Sequence, residues 1–216
     1  MFDKFDRKFS CERQDEFVYH LLAKHLKQPG TFLDCACGEP LNASNTYVLD
    51  KFLSWSGVGV DIGNVEIDVE PAWSTVRNAK FHQIDVTQKG FTDLLKKSYL
   101  PNQIIDYVSM DVDSPFGNFA LNALVRFLDS GLRFRVMTFE HEKYKIGPAI
   151  SDASRNLLFA NGYSLLFKNV TFENGLPFED WWVDTGEMIF DDIMSISAPN
   201  LSYNQCVELA KGLQRS

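Results

Sequence analysis

Thr31-Phe32-Leu33-Asp34-Cys35-Ala36-Cys37 followed by Gly38-Glu39-Pro40 is a short apolar run halted by a turn, and it sets the terms for the rest of the chain. The run has the length and composition of a buried strand. Proline lacks an amide hydrogen and has a fixed φ, so Gly38-Glu39-Pro40 continues neither a strand nor a helix interior, and the chain reverses there. Upstream, Gln14 to Lys27 set Phe17, Leu21, Leu22 and Leu26 at helical spacing, and Pro29-Gly30 stops that helix. Downstream, Ser44-Asn45-Thr46 offer capping groups ahead of the apolar stripe Tyr47, Val48, Leu49, Phe52 and Leu53. The unit reads as helix, strand, turn, helix.

The pattern recurs. Gly57-Val58-Gly59-Val60-Asp61 predicts a second strand, Glu70-Pro71 opens a helix through Asn78, and Lys80 to Asp85 predicts a third strand. A helix over Lys89 to Ser98, a strand over Ile104 to Asp111 and a helix over Phe119 to Leu128 follow, with Gly131 beyond the last helix. A fifth strand spans Arg133 to Glu140, a helix Ala149 to Ala160 and a sixth strand Tyr163 to Val170. Pro177 to Phe190 reads as a returning strand and Gln205 to Leu213 as a closing helix. Short apolar strands alternating with amphipathic helices predict an α/β fold, a mostly parallel sheet covered on both faces. No linker or repeat divides the chain, which reads as one domain: a helical segment over residues 1–29, a core over 30–190 and a tail over 191–216.

Composition narrows the function. The 216 residues carry a net charge of −8, with scattered Lys and Arg, so a nucleic-acid footprint is not expected. No apolar run reaches the roughly 20 residues that span a bilayer. The first ten residues alternate charge with Phe and lack the apolar segment of a secretory signal, which points to the cytoplasm. Cys11, Cys35, Cys37 and Cys206 form no C-x-x-C pair and read as small buried hydrophobes. The chain has no G-x-G-x-x-G, no G-x-x-x-x-G-K-[ST] and no G-x-S-x-G, which disfavours NAD, FAD, P-loop and α/β-hydrolase readings.

Four strands end on an acid: Asp61, Asp85, Asp111 and Glu140. An unpaired carboxylate in mid-strand is costly, so each is expected where its strand leaves the sheet. In a parallel sheet those exits share one edge, and ligands of open α/β sheets bind outside it where strand order reverses. The alternative for any single acid is a cap on the next helix. Asp61 follows the turn at Gly38 by about the offset, roughly 20 residues, of the acid that grips ribose hydroxyls in nucleoside-binding sheets. Asp85 could then accept from an adenine amino group, and Asp34 with Gly38 would approach the remainder of the ligand.

The order Gln14-Asp15, Phe32-Leu33-Asp34, Glu39-Pro40, Ser44-Asn45-Thr46-Tyr47, Trp55 to Asp61 and Asp111-Val112-Asp113 resembles the FkbM-like branch of class I S-adenosylmethionine-dependent methyltransferases, over about residues 9–185. The resemblance implies a seven-stranded Rossmann-like sheet that binds S-adenosylmethionine and methylates an acceptor, often a sugar hydroxyl. It implies Asp34 and Gly38 beside the methionine and ribose part, Asp61 on the ribose hydroxyls and Asp85 near adenine, with Ala36, Ile62 and Val86 also in the cofactor site. It also implies Asn45 and Thr46 lining the cleft, Gln14-Asp15 closing it and Asp111 facing methyl transfer. Two departures stand out: Ala36 replaces a motif glycine, and the acid-Val-acid-Gly after the fourth strand is Asp111-Val112-Asp113-Ser114 here.

Methyl transfer to a hydroxyl requires alignment and a base. His141, just after the fifth strand, is the expected catalytic histidine beside Asp111; the alternative is a loop histidine, solvated or held by Glu142. Asp111 and Asp113, with Glu140 and His141, would suit Mg²⁺. Trp181-Trp182 with Phe178 and Asp184 would stack on a sugar ring or belong to the core. The expected partner is a small hydroxylated acceptor, a glycan included. The alternatives are a non-sugar or protein acceptor, and a binding module of the same fold that has lost activity, for which Ala36 and Ser114 speak.

Overall fold

The computed structural model describes every residue except 1, 6, 23, 24, 27, 64–68, 114–117, 187–192 and 214–216. Ser114 and Phe190 therefore lie outside the described residues. Beyond a 3₁₀ turn at Phe2–Lys4, the elements in chain order are α1 (Gln14–Leu22), β1 (Thr31–Cys35), α2 (Tyr47–Leu53), β2 (Ser56–Asp61), α3 (Val69–Val76), β3 (Lys80–Gln83), α4 (Lys89–Ser98) and β4 (Ile104–Met110). They continue with α5 (Phe119–Leu128), β5 (Arg133–Glu140), α6 (Lys143–Ile146), α7 (Ala149–Ala160), β6 (Ser164–Thr171), β7 (Pro177–Val183), β8 (Ala198–Pro199) and α8 (Tyr203–Leu213).

The strands form one sheet in the order β3-β2-β1-β4-β5-β7-β6-β8. Pairings from β3 through β5 are parallel, and β7 runs antiparallel to both β5 and β6. β7 can turn back because Phe172 to Leu176 closes a tight connection, with Gly175 at φ +81° and its amide donating to the Phe172 carbonyl. Seven strands are the expected ones. The eighth, β8, is two residues long and pairs with β6 through Phe167 and Lys168.

From β1 the chain builds outward through β2 and β3, then crosses back to add β4 and β5 on the other side. Strand order therefore reverses between β1 and β4, where Asp34 stands opposite Ser109. Gly57 and Gly59 allow the close packing of β2: a Cβ at Gly57 would lie 2.4 Å from the Phe32 carbonyl oxygen, and one at Gly59 would lie 2.4 Å from the Trp73 ring.

Each face of the sheet carries an apolar layer. Phe91, Leu95, Phe127 and Trp182 belong to one, and Phe17, Phe167, Trp181 and Val207 to the other. Neighbouring residues in a strand point to opposite faces, which sends Trp181 against Phe17 and Trp182 against Phe159. Both tryptophans are 0 % exposed, so they are core and not a sugar platform. Phe178 is buried too, and Asp184 pairs with Arg133. Cys35, Cys37 and Cys206 are buried as expected, whereas Cys11 is exposed. Among the described residues, no helix is long and apolar enough to cross a membrane.

Candidate functional site

The carboxyl edge of β1 and β2 is joined by the Cys37 amide donating to the Val60 carbonyl and by one side chain. After β1 the chain enters a left-handed turn, with Ala36 at φ +58° and Gly38 at φ +53°. Asp61, at the end of β2, takes the Gly38 amide on Oδ2 at 3.0 Å and the Gly63 amide on Oδ1 at 2.8 Å. The two strand exits are thus clamped by a single carboxylate with charge-assisted bonds. A Cβ built at Gly38 meets nothing within 4 Å, so open space lies beside this turn. Ile62, next to the clamp, is 67 % exposed, an unusual setting for so large an apolar side chain.

Asp34 sits deeper, inside β1. The Thr46 hydroxyl donates to its Oδ2 at 2.5 Å. Burial pushes the carboxyl up to about 6, against the Thr46 bond and the Arg77 charge, which favour ionisation. Asp85 lies past the end of β3, which stops at Gln83, and closes its own turn by accepting from the Thr87 amide and hydroxyl at 2.8 and 2.7 Å. Burial opposes ionisation of Asp85, but these bonds outweigh it and the pKa falls. The Val86 side chain is in the core with Phe91 and Leu95.

Asp111 follows β4 and is half-buried, and other carboxylates surround it. Glu140 at the end of β5 is hydrogen-bonded to it and is held well above the usual range by burial and by Asp111. Glu179 of β7, opposite Glu140, is raised to about 8 by burial and Asp111. Glu12, just ahead of α1, is raised to about 7 by burial and Asp111. The segment leading into α1 reaches this edge through Ser10, whose hydroxyl lies against Gln14 Oε1 and 2.8 Å from Asn45 Oδ1. The Asn45 amide donates to the Ser109 hydroxyl at 3.0 Å, and the Gln14 amide to Glu179 at 2.9 Å. Asp15 is buried, which raises it to about 7. Asp113 is exposed, 3.5 Å from the Lys145 ammonium.

The expected Mg²⁺ site is not found: no group of three or more His, Cys, Asp or Glu that could hold a metal occurs among the described residues.

These acids predict an inverted pH response. A carboxyl whose folded pKa lies above its unfolded value, about 4, binds more protons in the native state, so its contribution is lost as pH rises. Glu16 and Asp180, which are lowered, act in the opposite sense only below about pH 4. Burial holds the carboxyls of Asp34, Glu12, Asp15 and Glu179 at about 6 to about 8. The urea midpoint of the ligand-free protein is therefore expected to be higher at pH 5 than at pH 8; a midpoint that rises over that interval contradicts the assignment.

His141 is elsewhere. Its side chain is 0 % exposed, and its Nε2 lies 3.5 Å from Asp180 Oδ1. Asp180 accepts from Arg155 Nε at 2.7 Å and Nη2 at 2.9 Å, and from the Asn169 amide at 2.8 Å. His141 Nδ1 accepts the Lys143 amide, and Glu142 pairs with Lys145. The expectation of a histidine base at the cleft is corrected: the imidazole is buried against the Arg155–Asp180 ion pair. The returning strand encloses it, since the Phe178 carbonyl takes the His141 and Glu142 amides.

Residues that sequence reasoning passed over stand beside the expected ones. Arg77, past the end of α3, is 5 % exposed and bonds Asp50, Pro40, Ser44 and Thr46. Glu12, Ser10, Ser109 and Glu179 have no motif of their own, and only their polarity within apolar surroundings signals them.

No protein-family model and no curated protein matches the chain. Solved structures do. Magnesium protoporphyrin IX methyltransferase from Synechocystis PCC 6803, determined with bound S-adenosylmethionine, aligns over 79% of this chain and 76% of its own at a TM-score of 0.50 and 16% identity. A TehB-like S-adenosylmethionine-dependent methyltransferase from Corynebacterium glutamicum aligns over 78% of this chain and 87% of its own, with a TM-score of 0.48 and 13% identity. Strand order, antiparallel β7 and the likeness to the magnesium protoporphyrin IX methyltransferase structure agree that the chain has the α/β, Rossmann-like fold of class I methyltransferases.

Proposed function

We propose that the protein is an S-adenosylmethionine-dependent methyltransferase of the FkbM-like kind that its motif order resembles, acting on a small hydroxylated acceptor such as a sugar. The observation that carries the reading is the Asp61 clamp: one carboxylate joins the β1 and β2 exits beside the reversal of strand order, with open space at Gly38. The residues suit the cofactor. A carboxylate is available for ribose hydroxyls, exposed Ile62 for the adenine face, and carboxylates near Asp34 and Asp111 for a cationic sulfonium.

When bound, the cofactor supplies an electrophilic methyl group. Asp61 orients the ribose, Asp85 with the Val86 backbone borders adenine, and Ala36, Gly38, Asn45 and Thr46 shape the wall between. Asp111 takes the proton of the acceptor hydroxyl, with Glu140 hydrogen-bonded behind it. A second reading, transfer to an amine-bearing acceptor, is favoured by the same carboxylates, which would attract a protonated amine.

Calorimetric titration with S-adenosylmethionine and S-adenosylhomocysteine, followed by methyl transfer to hydroxylated and amine acceptors, tests both readings. Binding of each ligand at one site is expected. If neither binds, the proposal fails; if both bind and no acceptor is methylated, the chain is a cofactor-binding module.

A further inference from the structure

We infer that Arg77, acting through the Thr46 hydroxyl, is the positioning group that fixes Asp34 and the first turn for the cofactor, an inference that rests on the methyltransferase reading. Arg77 Nε donates to Asp50 Oδ2 at 2.7 Å. Nη1 donates to the Pro40 carbonyl at 3.2 Å and the Ser44 hydroxyl at 3.1 Å, and Nη2 to the Thr46 hydroxyl at 2.8 Å. Its guanidinium lies 4.2 Å from the centre of the Trp73 ring. One cation therefore braces the turn at Pro40, the lead into α2 and α2 itself.

Proton accounting gives the brace a direction. Arginine only donates, so Thr46 Oγ1 accepts from Nη2. A hydroxyl has one proton, and that of Thr46 is spent on Asp34 Oδ2 at 2.5 Å. The chain Arg77 to Thr46 to Asp34 runs one way and presents Asp34 as an acceptor held in a single orientation. A merely structural ion pair would need only Asp50. Thr46 also occupies the N-cap position of α2, where threonine ordinarily caps the helix; its side chain makes no capping bond. The hydroxyl serves Asp34 and leaves its own helix uncapped.

The charged groups that act on Asp34 are Arg77 and Asp111, with Ser109 as its other hydrogen-bonding neighbour and the thiols of Cys35 and Cys37 close by. Removing the Thr46 hydroxyl takes away a bond that favours the carboxylate and isolates Asp34 from the cation.

The test compares Thr46→Val, Thr46→Ser and Arg77→Lys in the full chain. Affinity for S-adenosylhomocysteine is read by calorimetry, and the Asp34 carboxyl titration by carbon NMR without ligand. Thr46→Val and Arg77→Lys are each expected to weaken binding about tenfold, which is about 1.4 kcal/mol, and to move the Asp34 titration to higher pH. Thr46→Ser, which retains the hydroxyl, is expected to restore both. Folding is checked by near-ultraviolet circular dichroism, and the serine variant keeps the test open if arginine replacement unfolds the chain. Wild-type affinity and an unmoved Asp34 titration in folded Thr46→Val overturn the relay. If the wild type binds no S-adenosylhomocysteine, the cofactor role falls with the methyltransferase reading, while the NMR titration still decides the relay itself.

Discussion

Asp61→Ala is expected to weaken S-adenosylhomocysteine binding by about 100-fold or more. The Asp61 carboxylate accepts the Gly38 and Gly63 amides at 3.0 and 2.8 Å, and hydrogen bonds to a charged group are worth about 1.5–3 kcal/mol each. At about 1.4 kcal/mol per factor of ten, losing both amounts to roughly two to four orders of magnitude. The loss has two origins. The carboxylate would no longer meet the ribose, and the two turns, released from each other, would have to be ordered by the ligand at an entropic cost. Asp61→Asn separates them: its amide oxygen still accepts, but its NH₂ faces one backbone amide with like polarity. An intermediate affinity is expected. Calorimetry on folded Asp61→Ala that returns an affinity within about threefold of wild type, about 0.7 kcal/mol, would contradict the role given to Asp61 in the cofactor site.

Arg155→Met is expected to destabilise the fold by about 3–5 kcal/mol, the cost of leaving a buried charge without its partner. Asp180 is 0 % exposed and receives both arms of the Arg155 guanidinium together with the Asn169 amide. Arg155 also donates to the Asn169 side chain at 2.7 Å. Removing the cation strands a carboxylate that His141, 3.5 Å away, meets with a single ring nitrogen. Replacing both charges, Arg155→Met with Asp180→Leu, should recover part of the loss, because the desolvation burden of the anion disappears with it. Urea unfolding monitored by tryptophan fluorescence provides the measurement. A single-variant loss under about 1 kcal/mol would mean that the pair is solvated and the cluster loose. The same experiment on His141→Ala bears on catalysis: a stability loss with retained turnover assigns the imidazole to the cluster.

Much of the edge was legible because it is encoded locally. Asp61, Asp111 and Glu140 each close an apolar run, and a parallel sheet brings such closures to one side whatever their separation in sequence. Asp85 followed the same rule, although β3 ends two residues before it and the acid turns back on Thr87. His141 shows where local reading stops. It lies one residue beyond a strand exit, but β7 returns antiparallel beside β5 and seals it, and no feature near residue 141 announces what residue 178 will do. Trp181 and Trp182 were undecided for the same reason, since which layer covers each face depends on distant helices. Arg77 reaches across from the end of α3 to the approach to α2, a contact between separate elements that periodicity does not carry. β8 is too short to leave a pattern. The resemblance implied a seven-stranded Rossmann-like sheet; the structure supplied the strand order, Arg77, the Asn45–Ser109 link and the pairing of Asp111 with Glu140.

The raised acids of this edge alter the arithmetic of the whole molecule. The formal count of −8 assumes that every carboxyl is ionised at neutrality. Burial and the charge of Asp111 hold Glu140, Glu179 and Glu12 above the usual carboxylate range, and burial does the same to Asp15. In an electric field or on an ion-exchange resin, the ligand-free protein would therefore behave as a less anionic particle than its composition advertises. Its latent negative charge is stored at the crevice, where an arriving cation could draw it out by displacing hydrogen ions into the medium.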